Sequence, residues 1–378
     1  MKILNIIMSI DPKEGGGAVE RICNLSKYLS LNGHQCTLLT TSKNFSYSRK
    51  RSLGKVNVVK LPYFSERFLI PFGLFKWLKK NIKNYDTIHL SLNWSVITAF
   101  AFIFLYFNKV DYYFSAMGWL KISGRSKFFK FVYKHFITIP MVKNSKKCIA
   151  ITDREVQDFV IYGAKKKNIV RIPNGIDVNY YLKYHSDNTF KKKNNLKKKK
   201  IILYIGRIDK IKGVDLLVNA FINIHKQFQN HQLVICGFDG GILDNLKQLV
   251  KKNKIENKVS FLDPIWGNDK ISAYRSSDVL VIPSRYDTMT IVALEAGVLK
   301  TPIIISKQSN FNEVKKSKGA IIVNSNSQMI SIALRDLLKN RKKLKNMGKN
   351  IQNFIIKNYD WNLICKKFLT AFEGKKKF

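Results

Sequence analysis

The sequence predicts an α/β chain built from two tandem Rossmann-like domains, each with a parallel sheet, facing a central cleft. Three observations lead there. Short apolar runs alternate with helical patterns along nearly the whole chain, the signature of βα units. The runs fall into two sets, parted by the basic stretch KKKNNLKKKK at Lys191–Lys200, which reads as a linker or exposed loop. The length, 378 residues, asks for two or three domains at roughly 150 residues each.

Taken in order, KILNIIM (Lys2–Met8) is almost continuously apolar, as a strand buried on both faces must be. Gly15-Gly16-Gly17 follows, then a helix with Val19, Ile22, Cys23, Ser26 and Leu29 on one face, stopped by Asn32-Gly33. Cys36–Thr41, Val56–Leu61 and Thr87–Leu92 read as further strands. Ser95–Phe107 (SVITAFAFIFLYF) is too short for a bilayer, which needs roughly 20 apolar residues, and reads as a helix under the sheet. Asp111–Ala116 and Cys148–Thr152 complete the first set. Thr152-Asp-Arg-Glu155 has the spacing of a capping box. The second set is Ile201–Gly206, Gln232–Gly237, Lys258–Asp263, Asp278–Ser284 and Thr301–Ser306, and a long helical stretch from about Ser327 to Lys375 ends the chain. The N-terminal run lacks a small-residue cleavage site and is read as a strand, not a signal peptide.

Composition bounds the function. Hydrophobic residues are 46% and charged residues 24%, ordinary for a globular protein and wrong for a disordered or collagen-like one. Five scattered cysteines without CxxC spacing point to a reducing compartment and no zinc site. No metal site is expected, since no Asp-x-Asp and no His/Cys cluster is present. Sixty-seven basic residues against 25 acidic ones give a formal net charge of +42, which favours polyanionic partners. The excess is spread out: residues 1–150 already hold 24 basic and 6 acidic residues. In KFFKFVYKHF (Lys127–Phe136), Phe129, Val132, Tyr133 and Phe136 share one helical face, and Lys127, Lys130 and Lys134 another. Either an interfacial helix at an anionic leaflet or an amphipathic core helix has this pattern. Charge alone would also suit a nucleic-acid binder, but no such signature appears.

Three loops at strand ends could carry chemistry. Asp11–Gly17 precedes a helix, where glycines let backbone approach a phosphate and the helix end supplies free N–H groups; a tight turn is the plainer alternative. In GRIDKIKG (Gly206–Gly213), Arg207 and Lys212 could converge on a diphosphate, or be a chance pair in a lysine-rich chain. In PSRYDTMTIVALEAG (Pro283–Gly297), Glu295 could chelate a vicinal diol and the helix start near Thr288 to Thr290, running into Ile291, could offer N–H groups to phosphate. The alternative there is a capping Asp287 and a surface Glu295. His89, expected at a strand end, suits either an acceptor contact or a hydrogen-bonded structural role.

Together these segments resemble the retaining family 4 glycosyltransferases of GT-B fold. The resemblance covers nearly the whole chain and is most specific in IPNGID (Ile172–Asp177), LYIGRIDKIKGVDLLVNAF (Leu203–Phe221) and DVLVIPSRYDTMTIVALEAGVLKTPIII (Asp278–Ile305). It implies an acceptor domain, 1–176, onto which a C-terminal helix of about 358–378 packs back, and a nucleotide-sugar domain, 177–357, with hinges near Asn174–Lys200 and Asn358. It implies a UDP- or GDP-linked sugar donor and no cofactor. Arg207 and Lys212 would hold the diphosphate, Glu295 the ribose, Asp287 the donor sugar, and Gly16 and Gly17 would approach from the other domain. The acceptor would be a growing, lipid-linked glycan of a cell-surface polysaccharide or glycoconjugate, met by a cytoplasmic protein peripheral to the membrane. Two departures stand out. The first acid of the family's pair, normally Glu, is Asp287, shorter by one methylene. A position that is often His is Met117, which cannot hydrogen-bond a sugar strongly and is read as packing in the core or the acceptor pocket. A GT-B protein that has lost catalysis and only binds a glycan or partner is the alternative those departures leave.

Overall fold

The fold follows from where the apolar runs can be buried. A computed structural model of the chain describes residues 1–41, 46–120, 126–184, 189–196 and 199–373. Two compact units emerge: Met1–Asn174 with the C-terminal segment from Trp361, and Gly175–Asp360.

In the first unit, seven strands form one parallel sheet: β1 (Lys2–Ile6), β2 (Gln35–Thr40), β3 (Asn57–Lys60), β6 (Thr87–Ser91), β7 (Tyr113–Ser115), β8 (Lys147–Ala150) and β9 (Ile169–Arg171), ordered β3-β2-β1-β6-β7-β8-β9. A small antiparallel hairpin, β4 (Tyr63–Phe64) with β5 (Ile70–Pro71), stands apart. The order reverses at β1, so the loops after β1 and β6 lie at a switch point, where such sheets bind ligands. Helices Pro12–Leu31, Val96–Phe107 and Trp361–Glu373 cover the sheet with Ile22, Ile97, Phe102 and Phe368 buried.

The second unit repeats the plan with β10 (Lys200–Ile205), β11 (His231–Cys236), β12 (Val259–Leu262), β13 (Val279–Ile282), β14 (Ile303–Ser306) and β15 (Ala320–Val323), all parallel and ordered β12-β11-β10-β13-β14-β15. Here the reversal lies between β10 and β13, the two strands whose following loops carry Arg207 and Asp287.

Several readings of the sequence need correction. The stretch from Lys191 is not all loop, because helix Thr189–Lys193 forms and buries Phe190 as its anchor. The C-terminal helical stretch is three helices, Ser327–Leu338, Arg341–Tyr359 and Trp361–Glu373. The first break is made by Asn340, whose side chain accepts from Lys343 N at 2.8 Å and starts a new helix. Thr152 does cap helix Asp153–Ile161, accepting from Glu155 N at 3.2 Å, but Glu155 does not complete a capping box. Its buried carboxylate instead accepts from Ile151 N at 2.6 Å and Gly118 N at 2.5 Å.

Helix Lys127–Tyr133 runs through one π turn, Lys134–Thr138, into Ile139–Asn144. Of the four residues expected on one face, Phe129, Val132 and Phe136 are exposed and Tyr133 alone departs. Tyr133 turns inward and donates to Ser95 O at 3.0 Å, while Phe128, Phe129 and Phe136 stand 73–74% exposed. The side chain of Lys127, and residues 374–378 of the expected returning helix, lie outside the described residues.

Candidate active site

Each sheet places its loops by the same rule: parallel strands bring all carboxyl ends to one edge. On that edge of the first unit, Gly16 and Gly17 follow β1 and Met117 follows β7. Gly16 interrupts its helix with φ 52° and ψ −132°, a conformation closed to side chains, so glycine is required there. Both glycines are exposed. Met117 is buried and also left-handed, with φ 57°. It packs in the core and presents no polar atom at the edge.

His89 is where the structure departs most from the sequence. It lies inside β6, not at its end, and is fully buried. Its Nδ1 donates to Asn5 Oδ1 at 2.9 Å, and its Nε2 accepts from Ser115 Oγ at 2.7 Å. Asn5 in turn donates to Ser26 Oγ at 2.9 Å, so a polar line crosses β1, β6 and β7. Burial, with the nearby Arg21 charge, pushes the imidazole down to about 3, so it stays neutral. With both nitrogens engaged, His89 has no atom to offer an acceptor and is structural.

In the second unit, the loops after β10 and β13 are tied together. Lys212 Nζ donates to Asp287 Oδ2 at 2.6 Å, and both side chains are mostly shielded. Arg207 Nε pairs with Asp209, whose other oxygen accepts from Lys212 N at 2.7 Å. Tyr204 OH donates to Arg207 O at 2.6 Å. Arg285 forks onto Asp215 with two 2.7 Å bonds and donates to Lys210 O at 2.6 Å. Gly213 sits at φ 71°, and a Cβ there would lie 2.3 Å from Pro283 O, so only glycine lets the loops come this close. The result is three cations, Arg207, Lys212 and Arg285, and three carboxylates, Asp209, Asp287 and Asp215, in a neutral, pre-set cluster. Asp209 was not singled out from the sequence; an acid two residues after a strand-end arginine is its only signal.

The backbone of Asp287 is held from a third loop: its N–H donates to Gln308 O at 3.1 Å, and Asn310 donates to its carbonyl at 2.5 Å. Met289 adopts φ 53° and delivers Thr290 as the N-cap of helix Ile291–Val298. Thr290 makes no side-chain capping bond, so the start of that helix keeps its positive end open to an anion.

One turn further in, Glu295 is only 5% exposed and is surrounded by donors. Oε1 accepts from Tyr181 OH at 2.7 Å and Lys270 Nζ at 2.9 Å; Oε2 accepts from Tyr274 OH at 2.7 Å and meets Lys270 Nζ at 2.6 Å. Burial alone would raise this carboxyl, but the Lys270 charge and the three donors outweigh it and hold it below the ordinary range. It is an anion, and it is not the surface glutamate of the plainer alternative. Lys270, Tyr274 and Tyr181 carried no motif signal.

The comparisons bear on the whole chain. Residues 15–180 match the family described as Glycosyltransferase Family 4, and residues 186–354 match Glycosyl transferases group 1. An uncharacterized glycosyltransferase of Methanocaldococcus jannaschii is 25% identical, over 99% of this chain and 98% of that relative. A D-inositol 3-phosphate glycosyltransferase of Corynebacterium jeikeium is 30% identical over 44% of this chain and 42% of its own length. Among solved structures, HepE of Anabaena, in complex with UDP and glucose, superimposes with a TM-score of 0.80 at 17% identity over 99% of both chains, a likeness of fold.

Proposed function

The chain belongs to the family 4, group 1 glycosyltransferases of GT-B fold, and from that premise we propose that it moves a sugar from a UDP- or GDP-linked donor to a growing glycan with retention of configuration. The observation that carries the reading is the Lys212–Asp287 contact between the loops after β10 and β13. It sets a cation for the diphosphate beside an acid for the sugar, at the switch point of the sheet.

The residues divide the work by chemistry. Arg207 and Lys212 take the diphosphate; Arg207 offers a fork and Lys212 a point charge. As Lys212 turns to phosphate, Asp287 is released to accept from a donor-sugar hydroxyl. The N–H groups at Thr290 and Ile291 add to the anion site, and Glu295 takes the ribose hydroxyls. In the transfer, the bond from the sugar's anomeric carbon to the diphosphate oxygen breaks, and a bond to the acceptor oxygen forms on the same face. The acceptor's proton passes to the departing phosphate. Charge grows on the diphosphate in the transition state, so the two cations act there more than in the ground state. Donor turnover by Arg207→Ala tests this. A loss of a hundredfold or more with the melting temperature kept supports it, and an unchanged rate sinks it. Donor binding without any transfer or hydrolysis would identify a protein that only binds.

The acceptor is read as lipid-linked, met at an anionic membrane by a protein peripheral to its cytoplasmic face. The support is the first unit's surface: Phe128, Phe129, Phe131 and Phe136 are exposed, with the half-buried Lys130 and Lys134 on the same helical segment. An apolar group of this kind, set among cations, suits the headgroup region. No helix among the described residues is long and apolar enough to cross a membrane. Co-sedimentation with phosphatidylglycerol vesicles should exceed that with phosphatidylcholine and drop for Phe128→Ser/Phe129→Ser. Equal pelleting with both lipids, or by the variant, counts against it.

A further inference from the structure

We propose that Tyr181 competes with the donor's ribose for Glu295 and so sets how strongly the site reads a ribose diol. The inference rests on the reading of Glu295 as the ribose ligand. A carboxylate offers about four lone-pair positions. Glu295 already accepts three hydrogen bonds, from Lys270, Tyr274 and Tyr181, and the Lys270 ammonium also lies 2.6 Å from its other oxygen. A vicinal diol brings two more donors, so at least one resident donor must leave.

The three donors are not equally free to go. Lys270 contacts both oxygens and supplies the charge that keeps this buried carboxylate ionised; losing it would leave an unpaired buried anion. Tyr274 is fully buried in helix Gly267–Arg275, so its hydroxyl has no path to solvent without repacking that helix. Tyr181 is only half-buried and neutral. It sits on the short helix Val178–Lys183, beside the exposed ring of Tyr180, with its backbone carbonyl accepting from Arg275 Nη2 at 3.3 Å. A side-chain rotation can carry its hydroxyl off Glu295 toward solvent while that backbone contact stays in place. Of the three donors on Glu295, Tyr181 is the neutral one nearest solvent, and we assign it as the exchangeable one.

The test compares UDP and GDP with their 2′,3′-dideoxy counterparts by calorimetry. The ratio of dissociation constants, dideoxy over parent, measures what the diol contributes. Hydrogen bonds to a charged acceptor place that ratio at about tenfold or more in the wild-type protein. Tyr181→Phe keeps the ring, removes the competing hydroxyl, and should raise the ratio about threefold or more through tighter binding of the parent nucleotide. Glu295→Gln is the control for the underlying assignment. If Glu295→Gln leaves the ratio unchanged, Glu295 does not bind ribose and that reading falls. If Glu295→Gln collapses the ratio but Tyr181→Phe leaves it alone or lowers it, the ribose reading stands and the competition is overturned. Melting curves on both variants confirm that each is folded before binding is compared.

Discussion

Removing the Lys212 ammonium should cost catalysis far more than folding. In the ligand-free site Nζ lies 2.6 Å from Asp287 Oδ2, with side-chain exposures of 27% and 15%. Two unit charges about 4 Å apart interact by roughly 1 kcal/mol in water and roughly 4 kcal/mol at the effective dielectric near a protein surface. The part-shielded setting puts the loss between these, at about 2–3 kcal/mol. For Lys212→Ala that is a fall in kcat/KM of about 30- to 150-fold. Most of it should appear in kcat, because charge accumulates on the diphosphate only as the sugar departs. The assay is release of nucleoside diphosphate from the donor, with water as acceptor. Lys212→Ala also orphans Asp287, so a small stability loss of about 1 kcal/mol is expected. Pairing it with Asp287→Asn removes that loss and separates the two effects. A rate within threefold of wild type refutes the reasoning. So does a lost rate that Lys212→Ala/Asp287→Asn restores along with stability.

Two further outcomes follow from buried groups in the first unit. His89 has a folded pKa of about 3 against 6.5 unfolded, so between those values the unfolded chain binds the proton that the fold refuses. Stability contributed this way is complete above pH 6.5 and falls as pH drops, by up to about 1.4 kcal/mol per pH unit; urea titrations from pH 6.5 to 4.5 should show a steeper decline in wild type than in His89→Gln, and identical slopes contradict it. Arg21 is fully buried and donates to Ile172 O and Pro173 O at 2.7 Å and to Asn174 Oδ1 at 2.8 Å, at the point where the chain leaves the first unit. Arg21→Met keeps apolar volume against Phe368 but strands three acceptors, and should cost about 3 kcal/mol or more in chemical denaturation; a cost under about 1 kcal/mol would show the arginine to be incidental.

The division into βα units was legible because a strand buried on both faces has almost no sequence freedom. Lys2–Ile6 and His231–Cys236 announce themselves as apolar runs between breakers. Ile169–Arg171 and Ala320–Val323 are edge strands of three and four residues, too short for an apolar run, even the wholly apolar AIIV of the second, to mark a strand by itself. His89 was misplaced for a related reason. A histidine is tolerated inside a sheet only through the Asn5 and Ser115 partners on neighbouring strands, and pairing across 84 and 26 residues leaves no local pattern. The site divides the same way. Gly206–Gly213 and Asp287 with Glu295 were readable because their spacing is fixed by one loop or one helix. Tyr181, 114 residues from Glu295, and Lys270 and Tyr274, on a different helix from it, reach it only through tertiary packing. The π turn after Tyr133 was likewise invisible, since it changes the backbone hydrogen-bond spacing without altering composition.

The central claim is that the second unit's strand-end loops bind a nucleoside diphosphate through Arg207 and Lys212. A thermal-shift titration of the wild-type protein and Arg207→Ala/Lys212→Ala with UDP, GDP and their sugar conjugates tests it most directly. A ligand at about 100 times its Kd stabilises the folded state by roughly 2.7 kcal/mol, several degrees of melting temperature for units of this size. The account predicts that rise with one of the two nucleotides in wild type and its absence in the double variant. No rise with any of them in folded wild-type protein, or an equal rise in the double variant, contradicts it.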